Sequence, residues 1–341
     1  MRRAVVALLL VAILVGLAAC GGGDAEPQTF RNPVYRKNFR DPFVLRVGDT
    51  YYAYGTKDAQ STRSGITRAV VPGNVQTLTS SDLVTWKTGK DALPDVGKWA
   101  YDAKTWAPEV AQVDEDRFVL YYTGLSKSLG LQCVGRAVAE SPEGPFVDRW
   151  AAPIVCQQDG GGSIDPNAFR DDDGKLYLLW KNDGNCCAKD TEIWVQRLSA
   201  DGTRLVGRRV SLLKNDQGWE AGVVEAPTMW RQDGRVYLFY SAADFASDLY
   251  SIGYAQCRGV FGPCRKPRKT PLVTSRCEAS GPGHQAIVRD GDERTWLVYH
   301  AYYAHPKPRQ IDETVVWMDR LDWVKRTPVL HGPTCRRQRA P

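Results

Sequence analysis

The stretch from Asp41 to Thr56, DPFVLRVGDTYYAYGT, combines a short apolar strand, a Gly-Asp turn and an aromatic-rich strand. This pattern is typical of a β-hairpin. Four further copies follow, and they read APEVAQVDEDRFVLYYTG from Ala107, DPNAFRDDDGKLYLLWKN from Asp165, APTMWRQDGRVYLFYSA from Ala226 and GHQAIVRDGDERTWLVYHA from Gly283. The copies begin about 60 residues apart, so the chain is built from a repeated unit.

The second half of each unit also recurs. Its copies read SSDLVTW from Ser80, GRAVAESPEGPF from Gly135, EIWVQRLSADG from Glu192, SIGYAQCRGVFGPC from Ser251 and VVWMDRLDW from Val315. These segments predict a third strand, a turn and a short fourth strand. Four strands in each of five units predict an all-β fold, a five-bladed β-propeller with four antiparallel strands per blade. A pair of β-sandwiches is the alternative, but it does not explain five copies in phase.

The composition agrees with a strand-rich globular protein. The chain has 341 residues, of which 43% are hydrophobic and 25% charged, with 11 Trp, 15 Tyr, 31 Gly and 20 Pro. Many aromatic residues together with many turn formers favour strands joined by tight loops. The formal charge of +6 is spread along the chain. No segment has the clustered basic residues of a nucleic-acid-binding surface, so no nucleic-acid partner is expected.

The N-terminus has the pattern of an export signal. Arg2 and Arg3 precede an uninterrupted apolar run over residues 4–19, which is short for a membrane span and suits a signal peptide. The run ends at Cys20, and its last residues resemble the lipobox of bacterial lipoproteins. We therefore expect a signal peptide over residues 1–19, lipidation of Cys20 and a tether over residues 20–30. The protein would be exported and held at the outer face of the cell membrane by lipid only. An ordinary cleaved signal peptide that happens to contain a cysteine is the alternative.

Eight cysteines remain after Cys20, and they are Cys133, Cys156, Cys186, Cys187, Cys257, Cys264, Cys277 and Cys335. An even number in an exported chain predicts up to four disulfides. Cys257 and Cys264 are close enough in sequence to join the two arms of one hairpin, and they form the best single pair. A zinc site is the rival interpretation, but the chain has no Cys-x-x-Cys and only 4 His.

The repeat register places three carboxylates together. In a propeller the first strand of each blade lines the central channel, so the residues that open these strands form a ring. Asp41 opens the first blade, Asp165 opens the third, and Glu225 immediately precedes the opening Ala226 of the fourth. Carboxylates gathered at a narrow mouth repel one another, which raises at least one pKa. Such a group can hold one protonated acid and one ionised base, as glycoside hydrolysis requires. The alternative is that Asp before Pro is only a turn signal.

At these residues the chain resembles glycoside hydrolase family 43, the five-bladed propeller enzymes that act on arabinose- and xylose-containing glycans. The similarity runs from about Asn32 to Trp323, and the matching pieces read NPVYRKNFRDPFVLRVGDTYYAY, WAPEV, SIDPNAF, VVEAPTMW, GPGHQAIV and YHAY. The resemblance implies hydrolysis with inversion, in which Asp41 is the general base, Glu225 the general acid and Asp165 the residue that orients the acid. Inversion implies that the base and the acid lie roughly 6.5–9.5 Å apart.

The resemblance also suggests three substrate-binding residues. Trp106 would give a wall on which a sugar stacks, with packing between blades as the alternative. His284 would face water or a structural calcium ion in the channel, and the alternative is a hydrogen-bonded histidine without an ion. Arg309 falls where the family often has a substrate-binding arginine, although its spacing to the next strand is longer here. No cofactor is expected to be required. His300 follows an apolar strand and is expected to be structural.

The sequence leaves several functions open within this class. An exo-acting α-L-arabinofuranosidase or β-xylosidase is the leading hypothesis, and an endo-1,5-α-L-arabinanase is the alternative. A non-catalytic, lipid-anchored sugar-binding propeller is a third hypothesis, which the intact carboxylate trio argues against. The invertase-like propeller enzymes share the Arg-Asp-Pro at residues 40–42, but neither their nucleophile motif nor their C-terminal sandwich is expected here. We expect a monomer with a propeller over residues 31–335 and a basic tail over residues 336–341.

Overall fold

Each of the five repeats forms one antiparallel sheet in the structure, a computed structural model that describes residues 28–57, 73–303 and 314–341. The strands, in chain order, are β1 (Thr29–Phe30); β2 (Arg40–Val47), β3 (Thr50–Thr56), β4 (Val75–Ser80) and β5 (Lys87–Thr88) of blade one; β6 (Ala100–Asp114), β7 (Arg117–Ser126) and β8 (Gln132–Ala139) of blade two; β9 (Ser163–Arg170), β10 (Leu176–Asn182), β11 (Glu192–Leu198) and β12 (Leu205–Lys214) of blade three; β13 (Val224–Gln232), β14 (Arg235–Ala242), β15 (Ser251–Cys257) and β16 (Cys264–Arg265) of blade four; β17 (Ala279–Arg289), β18 (Thr295–Tyr303), β19 (Thr314–Val324) and β20 (Thr327–Leu330) of blade five; and β21 (Gln338–Arg339).

The first strands of the blades form a closed ring. Strand β2 contacts β6, β6 contacts β9, β9 contacts β13, β13 contacts β17, and β17 returns to contact β2. The remaining strands of each blade follow outward in sequence order. This arrangement confirms the predicted five-bladed β-propeller. In blade two the outermost position is reduced to single bridges, in which Val138 pairs with Val147 and Val134 with Val155.

The hydrophobic core lies between the blades. Five clusters of buried side chains each combine residues from two neighbouring blades. In the cluster that closes the ring, Val44 and Tyr51 of blade one pack with Val288 and Trp296 of blade five. The second strands are therefore buried on both faces, and every residue of β10 is buried. A blade that is apolar on both faces needs a neighbour on each side, which is why the sheets close into a ring.

The expected tether and tail meet each other in the structure. Strand β1 pairs with β21, so that Phe30 lies opposite Gln338. Phe30 is buried in the core, and the side chain of Gln338 donates a hydrogen bond to Asp319 Oδ1 at 3.0 Å. Residues 336–341 are thus not a free solvated tail, because this pairing and the Asp319 contact hold them on blade five. Residues 1–19 and Cys20 lie outside the described residues.

Among the described residues the helical segments are three 3-10 turns, Gln158–Gly160, Gly184–Cys187 and Gly218–Glu220. A search of the described residues for a helix with the length and apolarity to cross a bilayer found none.

Three disulfides are formed within the part of the chain that the structure describes. Cys257 and Cys264 join β15 to β16, which confirms the pair predicted from the sequence. Cys133 pairs with Cys156, and the adjacent Cys186 and Cys187 pair with each other. Cys277 and Cys335 are free thiols.

Candidate active site

Five equivalent residues of the inner strands, one in each blade, share one unusual backbone conformation. Asp41, Ala107, Asp165, Ala226 and His284 have φ angles of 51°, 47°, 53°, 48° and 48°. Positive φ is uncommon for residues other than glycine, and it persists only where the surroundings hold it. The pairing of each inner strand with its neighbour is interrupted at this residue. In the first four blades a proline follows, and it disfavours the right-handed helical conformation at the preceding residue.

Side chains from neighbouring blades hold four of these residues in place. The N–H of Ala107 donates to Thr56 Oγ1 at 2.8 Å, and the N–H of Asp165 donates to Thr123 Oγ1 at 3.1 Å. In the same way His284 donates to Ser241 Oγ at 2.8 Å, and Asp41 donates to His300 Nδ1 at 3.0 Å. The mouth of the channel is therefore linked from blade to blade around the ring.

Asp41 lies among groups that favour its ionised form. Its Oδ2 accepts a hydrogen bond from Thr56 Oγ1 at 2.5 Å, and its Oδ1 lies 3.2 Å from His284 Nδ1. Burial alone would raise the pKa of Asp41, but nearby His284, His300 and Arg40 and the Thr56 hydroxyl outweigh burial and lower the pKa. A carboxylate that stays ionised over a wide pH range is suited to accept a proton.

The pKa of Asp165 is shifted in the opposite direction from that of Asp41. The side chain is buried, and Oδ2 accepts a hydrogen bond from the N–H of Ala226 at 2.9 Å. Burial raises the pKa of Asp165 to about 6, with Glu225 and Asp41 adding to the rise and His284 and Lys181 opposing it. The same contacts show that Asp165 is electrostatically close to both of the other predicted catalytic carboxylates.

Glu225 is buried and held at both of its oxygens. Oε1 accepts a hydrogen bond from the hydroxyl of Tyr250 at 2.7 Å, and Oε2 lies 3.0 Å from Nζ of Lys181. The ring of Tyr250 stacks on the imidazole of His300, with the ring centroids 6.0 Å apart. Since His300 contacts Asp41, this stack connects the Glu225 side of the site to the Asp41 side. The structure therefore brings together the three carboxylates that the sequence predicted to converge.

His300 belongs to the site, although the sequence indicated a structural role. Burial lowers the pKa of His300 to about 3, so the imidazole is neutral at ordinary pH. Its Nδ1 accepts the N–H of Asp41, which places the ring proton on Nε2. Nε2 is buried and has no protein partner among the described residues. His300 thus positions Asp41 without adding charge above about pH 3.

The other predicted residues differ in outcome. His284 lies at the mouth beside Asp41. Trp106 is half-buried and immediately precedes the left-handed Ala107, at the place that Glu225 occupies in blade four. Arg309 lies outside the described residues. Tyr250, Lys181 and Thr56 were not identified from the sequence, because each comes from a loop or a second strand rather than from the start of an inner strand.

The described residues do not provide a protein ligand set for a metal ion. Within residues 28–57, 73–303 and 314–341, no three His, Cys, Asp or Glu side chains are grouped so that they could hold a metal. His284 is engaged with Asp41 instead. The structure thus does not support a calcium ion held by protein side chains at this place, and we derive no chemical step through one.

The chain is similar to known glycosidases. The sequence profile described as "Glycosyl hydrolases family 43" matches residues 30–328. A "Beta-D-galactofuranosidase xynD" from Aspergillus niger is 24% identical, with 85% of this chain and 81% of the relative covered. A "Xylan 1,3-beta-xylosidase" from a Vibrio species is 27% identical over 80% of this chain, but only 49% of that relative is covered. An "Extracellular endo-alpha-(1->5)-L-arabinanase 1" from Bacillus subtilis is 26% identical, with 78% and 80% covered.

The fold has close counterparts among solved structures. The "thermostable family-43 glycoside hydrolase" superposes with a TM-score of 0.78 at 29% sequence identity, covering 92% of this chain and 99% of that one.

Proposed function

The chain belongs to glycosyl hydrolase family 43 and is a glycoside hydrolase, and on that basis we propose that it removes terminal arabinofuranosyl or xylosyl residues with inversion of configuration. The substrates would be polysaccharides or oligosaccharides that contain arabinose and xylose. The observation that carries the proposal is the trio at the channel mouth, in which Asp41 has a lowered pKa while Asp165, close to Glu225, has a raised one. An inverting hydrolase needs an ionised base and a protonated acid at the same pH.

In this mechanism Asp41 is the general base. Its ionised carboxylate takes a proton from a water molecule, whose oxygen attacks the anomeric carbon of the sugar. Thr56 and His284 hold the two carboxylate oxygens, so the base has little freedom to turn. The N–H of Asp41 is fixed by His300, which keeps the left-handed backbone in place.

Glu225 is the general acid and donates its proton to the oxygen of the leaving group as the glycosidic bond breaks. Asp165 orients this acid, because it accepts the N–H of Ala226, the residue next to Glu225. The proton taken up by Asp41 and the proton given by Glu225 balance, so the site is restored by exchange with solvent. Proton transfers of this kind contribute roughly 10²- to 10⁴-fold each to the rate.

Aromatic side chains at the mouth are suited to hold a sugar ring. Phe245 is 44% exposed, and the guanidinium carbon of Arg40 lies 5.2 Å from the centre of its ring. Trp106 is half-buried at the equivalent of the Glu225 position. Sugar rings present apolar faces that pack on aromatic rings. Asp165 and Glu225 are each only 8% exposed, so the acid side of the site is recessed below the surface.

The decisive experiment is a substrate panel tested on the purified protein. It contains aryl α-L-arabinofuranoside, aryl β-D-xyloside, aryl β-D-galactofuranoside and linear arabinan. We expect hydrolysis of the first or second, with the β-anomer of arabinose or the α-anomer of xylose as the first product in proton NMR spectra. Asp41→Asn and Glu225→Gln should each lower kcat/KM by roughly 10²- to 10⁴-fold on substrates with poor leaving groups while leaving the fold intact. Retention of configuration, or an active Asp41→Asn variant, would contradict the assignment.

An endo-arabinanase is the second candidate, because the match to the Bacillus subtilis arabinanase covers 80% of that enzyme whereas the match to the Vibrio xylosidase covers 49%. Short oligosaccharides released early from linear arabinan would favour the endo enzyme, and arabinose alone would favour the exo enzyme. A folded protein that binds these glycans and hydrolyses none would instead be a binding propeller.

We also propose that the protein is exported, monomeric and anchored through lipid on Cys20. The apolar run before Cys20 and the three disulfides support export. The Bacillus subtilis relative and an exo-arabinofuranosidase from Cellvibrio japonicus are both named as extracellular. Cys20→Ser should move the protein from the membrane fraction to the soluble fraction, and light scattering on that variant should give the mass of one chain.

A further inference from the structure

One position of the second strands faces the ring of left-handed residues in every blade. In each blade it is the second-strand residue that pairs with the inner-strand residue just before the left-handed residue. Its occupants are Thr56 opposite Arg40, Thr123 opposite Trp106, Lys181 opposite Ile164, Ser241 opposite Glu225 and His300 opposite Gly283. In four blades this side chain accepts the N–H of the left-handed residue in the adjacent blade. In these four blades the position therefore plays the same structural role, which is to hold the left-handed residue of the next blade.

Lys181 in blade three cannot perform that task. A lysine ammonium has three donors and no acceptor. The N–H of Ala226, which would otherwise bond to this position, instead donates to Asp165 Oδ2 at 2.9 Å. Blade three is thus the blade that has a lysine at this second-strand position. It is also the blade whose inner-strand carboxylate, Asp165, accepts the N–H of the residue next to Glu225. The other four occupants are neutral hydroxyls or the neutral imidazole of His300.

The ammonium of Lys181 is placed among acidic and polar partners. Its side chain is 0% exposed, and Nζ lies 3.0 Å from Glu225 Oε2, 2.6 Å from Asn185 Oδ1 and 3.9 Å from Asp183 Oδ1. A buried charge without partners is strongly disfavoured, so this cluster must be preserved for the lysine to stay charged. Burial raises the pKa of Asp183, which Lys181 opposes, and Glu225 is the nearer of the two acidic partners of Lys181.

We propose that Lys181 is a positioning residue for the general acid, and that its ammonium stabilises the carboxylate that remains on Glu225 after the proton has passed to the leaving group. This inference rests on the proposed catalytic role of Glu225. Among the described residues, the titratable groups that face Glu225 are Lys181, Asp183, Asp165 and Tyr250. Lys181 is the only cation of that set, so its removal changes the charge balance at the acid in one direction.

The test compares Lys181→Met, Lys181→Thr and Lys181→Arg with the wild type. Lys181→Thr supplies the hydroxyl found at this position in other blades, and it serves as a second uncharged variant if the Met variant folds poorly. Without the cation, Glu225 should keep its proton to higher pH. We therefore expect the alkaline limb of the kcat/KM profile to move up by about one pH unit in the Met and Thr variants. Lys181→Arg should stay near the wild-type profile.

A second readout is the dependence on the leaving group. In the Met and Thr variants, kcat/KM should fall at least roughly tenfold for a poor leaving group and much less for 2,4-dinitrophenolate, which leaves without protonation. Lys189→Met is the matched control, because Lys189 is an exposed lysine of the loop that follows β10, and its Nζ donates to Asp159 O at 2.5 Å. Equal losses on both substrates with an unmoved pH profile would overturn the proposal and leave Lys181 a structural residue.

A third measurement does not depend on activity. Protein labelled with 13C at the glutamate carboxyls can be titrated by NMR, with the Glu225 signal assigned by its loss in Glu225→Gln. We expect the Glu225 carboxyl to protonate at higher pH in Lys181→Met than in the wild type. An unchanged titration would overturn the proposal. A wild type that hydrolyses nothing but shows the expected titration difference would instead count against the proposed function alone.

Discussion

The hydroxyl of Tyr250 donates a 2.7 Å hydrogen bond to Oε1 of Glu225. Tyr250 lies at the end of the loop before β15, whereas Glu225 lies on the first strand of the same blade. Oε2 of Glu225 is held by Lys181, so the two contacts together set the plane of the carboxyl. An acid that must point at one oxygen of the substrate depends on such constraints.

Tyr250→Phe should therefore lower kcat/KM roughly 10- to 100-fold, because a hydrogen bond to a charged group contributes about 1.5–3 kcal/mol. Tyr240→Phe is the matched control, since Tyr240 donates to Glu220 Oε1 at 2.8 Å in the same blade, outside the site. The control should lower Tm and leave kcat/KM unchanged. Equal kinetics in Tyr250→Phe and the wild type would show that this contact is structural only.

His300→Phe should reduce activity by removing the acceptor for the N–H of Asp41. The phenyl ring preserves the stack on Tyr250 but leaves the amide without its partner, at a cost of about 1–3 kcal/mol. Because burial keeps the pKa of His300 near 3, the loss should be the same at pH 5 and pH 8. Steady-state kinetics at the two pH values check this. A loss confined to low pH would mean that the imidazole acts as a cation.

Stability should fall as the pH rises toward 8, because Glu109 is buried where protonation is favoured. Burial raises the pKa of Glu109 to about 8, although Asn167 Nδ2 and the N–H of Ala168 donate to its oxygens. The folded protein thus keeps a proton that the unfolded chain has already released. This contribution, on the order of 5 kcal/mol, is fully present below about pH 4.5 and is lost as the pH rises from there through about 8.

Glu109→Gln, which mimics the protonated acid, should make Tm less dependent on pH between 5 and 9. Glu115→Gln is the control, since Glu115 is exposed in the hairpin of the same blade. Thermal unfolding followed by circular dichroism measures both variants. If Glu109→Gln keeps the wild-type slope, the titration of another group controls the pH dependence. Asp319, whose pKa is raised to about 7 by burial, is then the first to substitute.

Removal of metal ions should leave catalysis intact. The carboxylate pair supplies both proton transfers of an inverting hydrolase, so kcat after dialysis against EDTA should stay within about twofold of the untreated value. A rise in Tm on addition of Ca²⁺ with unchanged kcat would identify a calcium ion with a structural role. Activity that is lost with EDTA and restored by Ca²⁺ would contradict this expectation.

A fourth disulfide should form between Cys277 and Cys335 in protein that folds under oxidising conditions. The two thiols are in hydrogen-bonding contact, and burial together with Cys277 raises the pKa of Cys335. Oxidised glutathione can accept the two electrons as the thiols lose their protons. In the denatured Cys20→Ser protein, thiol titration should then find no free thiol, and Cys277→Ser should expose one. The bond should add roughly 2–4 kcal/mol of stability. Two free thiols after oxidation would refute it.

The sequence predicted the fold because each repeat contains its own hairpin signal, and it predicted the trio because the register of the repeats is visible. Asp41 and Asp165 are recognisable as equivalent positions that precede a proline. The left-handed conformation of these residues cannot be predicted from the residue type, since alanine occupies the same position in two blades. It follows from the interrupted pairing and from acceptors in the neighbouring blade.

The supporting residues were harder to predict, because they act across blades. Lys181, His300 and Thr56 each lie in the later half of a second strand, and the tertiary contact that gives them a role joins different repeats. A signal was nevertheless present. When the second strands of the five repeats are aligned, Thr, Thr, Lys, Ser and His occupy one position, and the lysine is the one residue there that cannot accept a hydrogen bond. Tyr250 has no such aligned position. The sign of Tyr250 in the repeat pattern is Gly283, because a Cβ atom at that residue would lie 1.9 Å from the Tyr250 ring.

The left-handed residues at the channel mouth have a consequence for redesign. A ring of five identical blades would present one side chain five times and could not separate an acid from a base. In this chain the backbone at this position has the same conformation in every blade, but the side chains differ. Different blades can therefore supply different chemical groups to the site. Ala107 and Ala226 already adopt a conformation that aspartate and asparagine tolerate. They are therefore two sites at which the backbone already suits an aspartate or an asparagine.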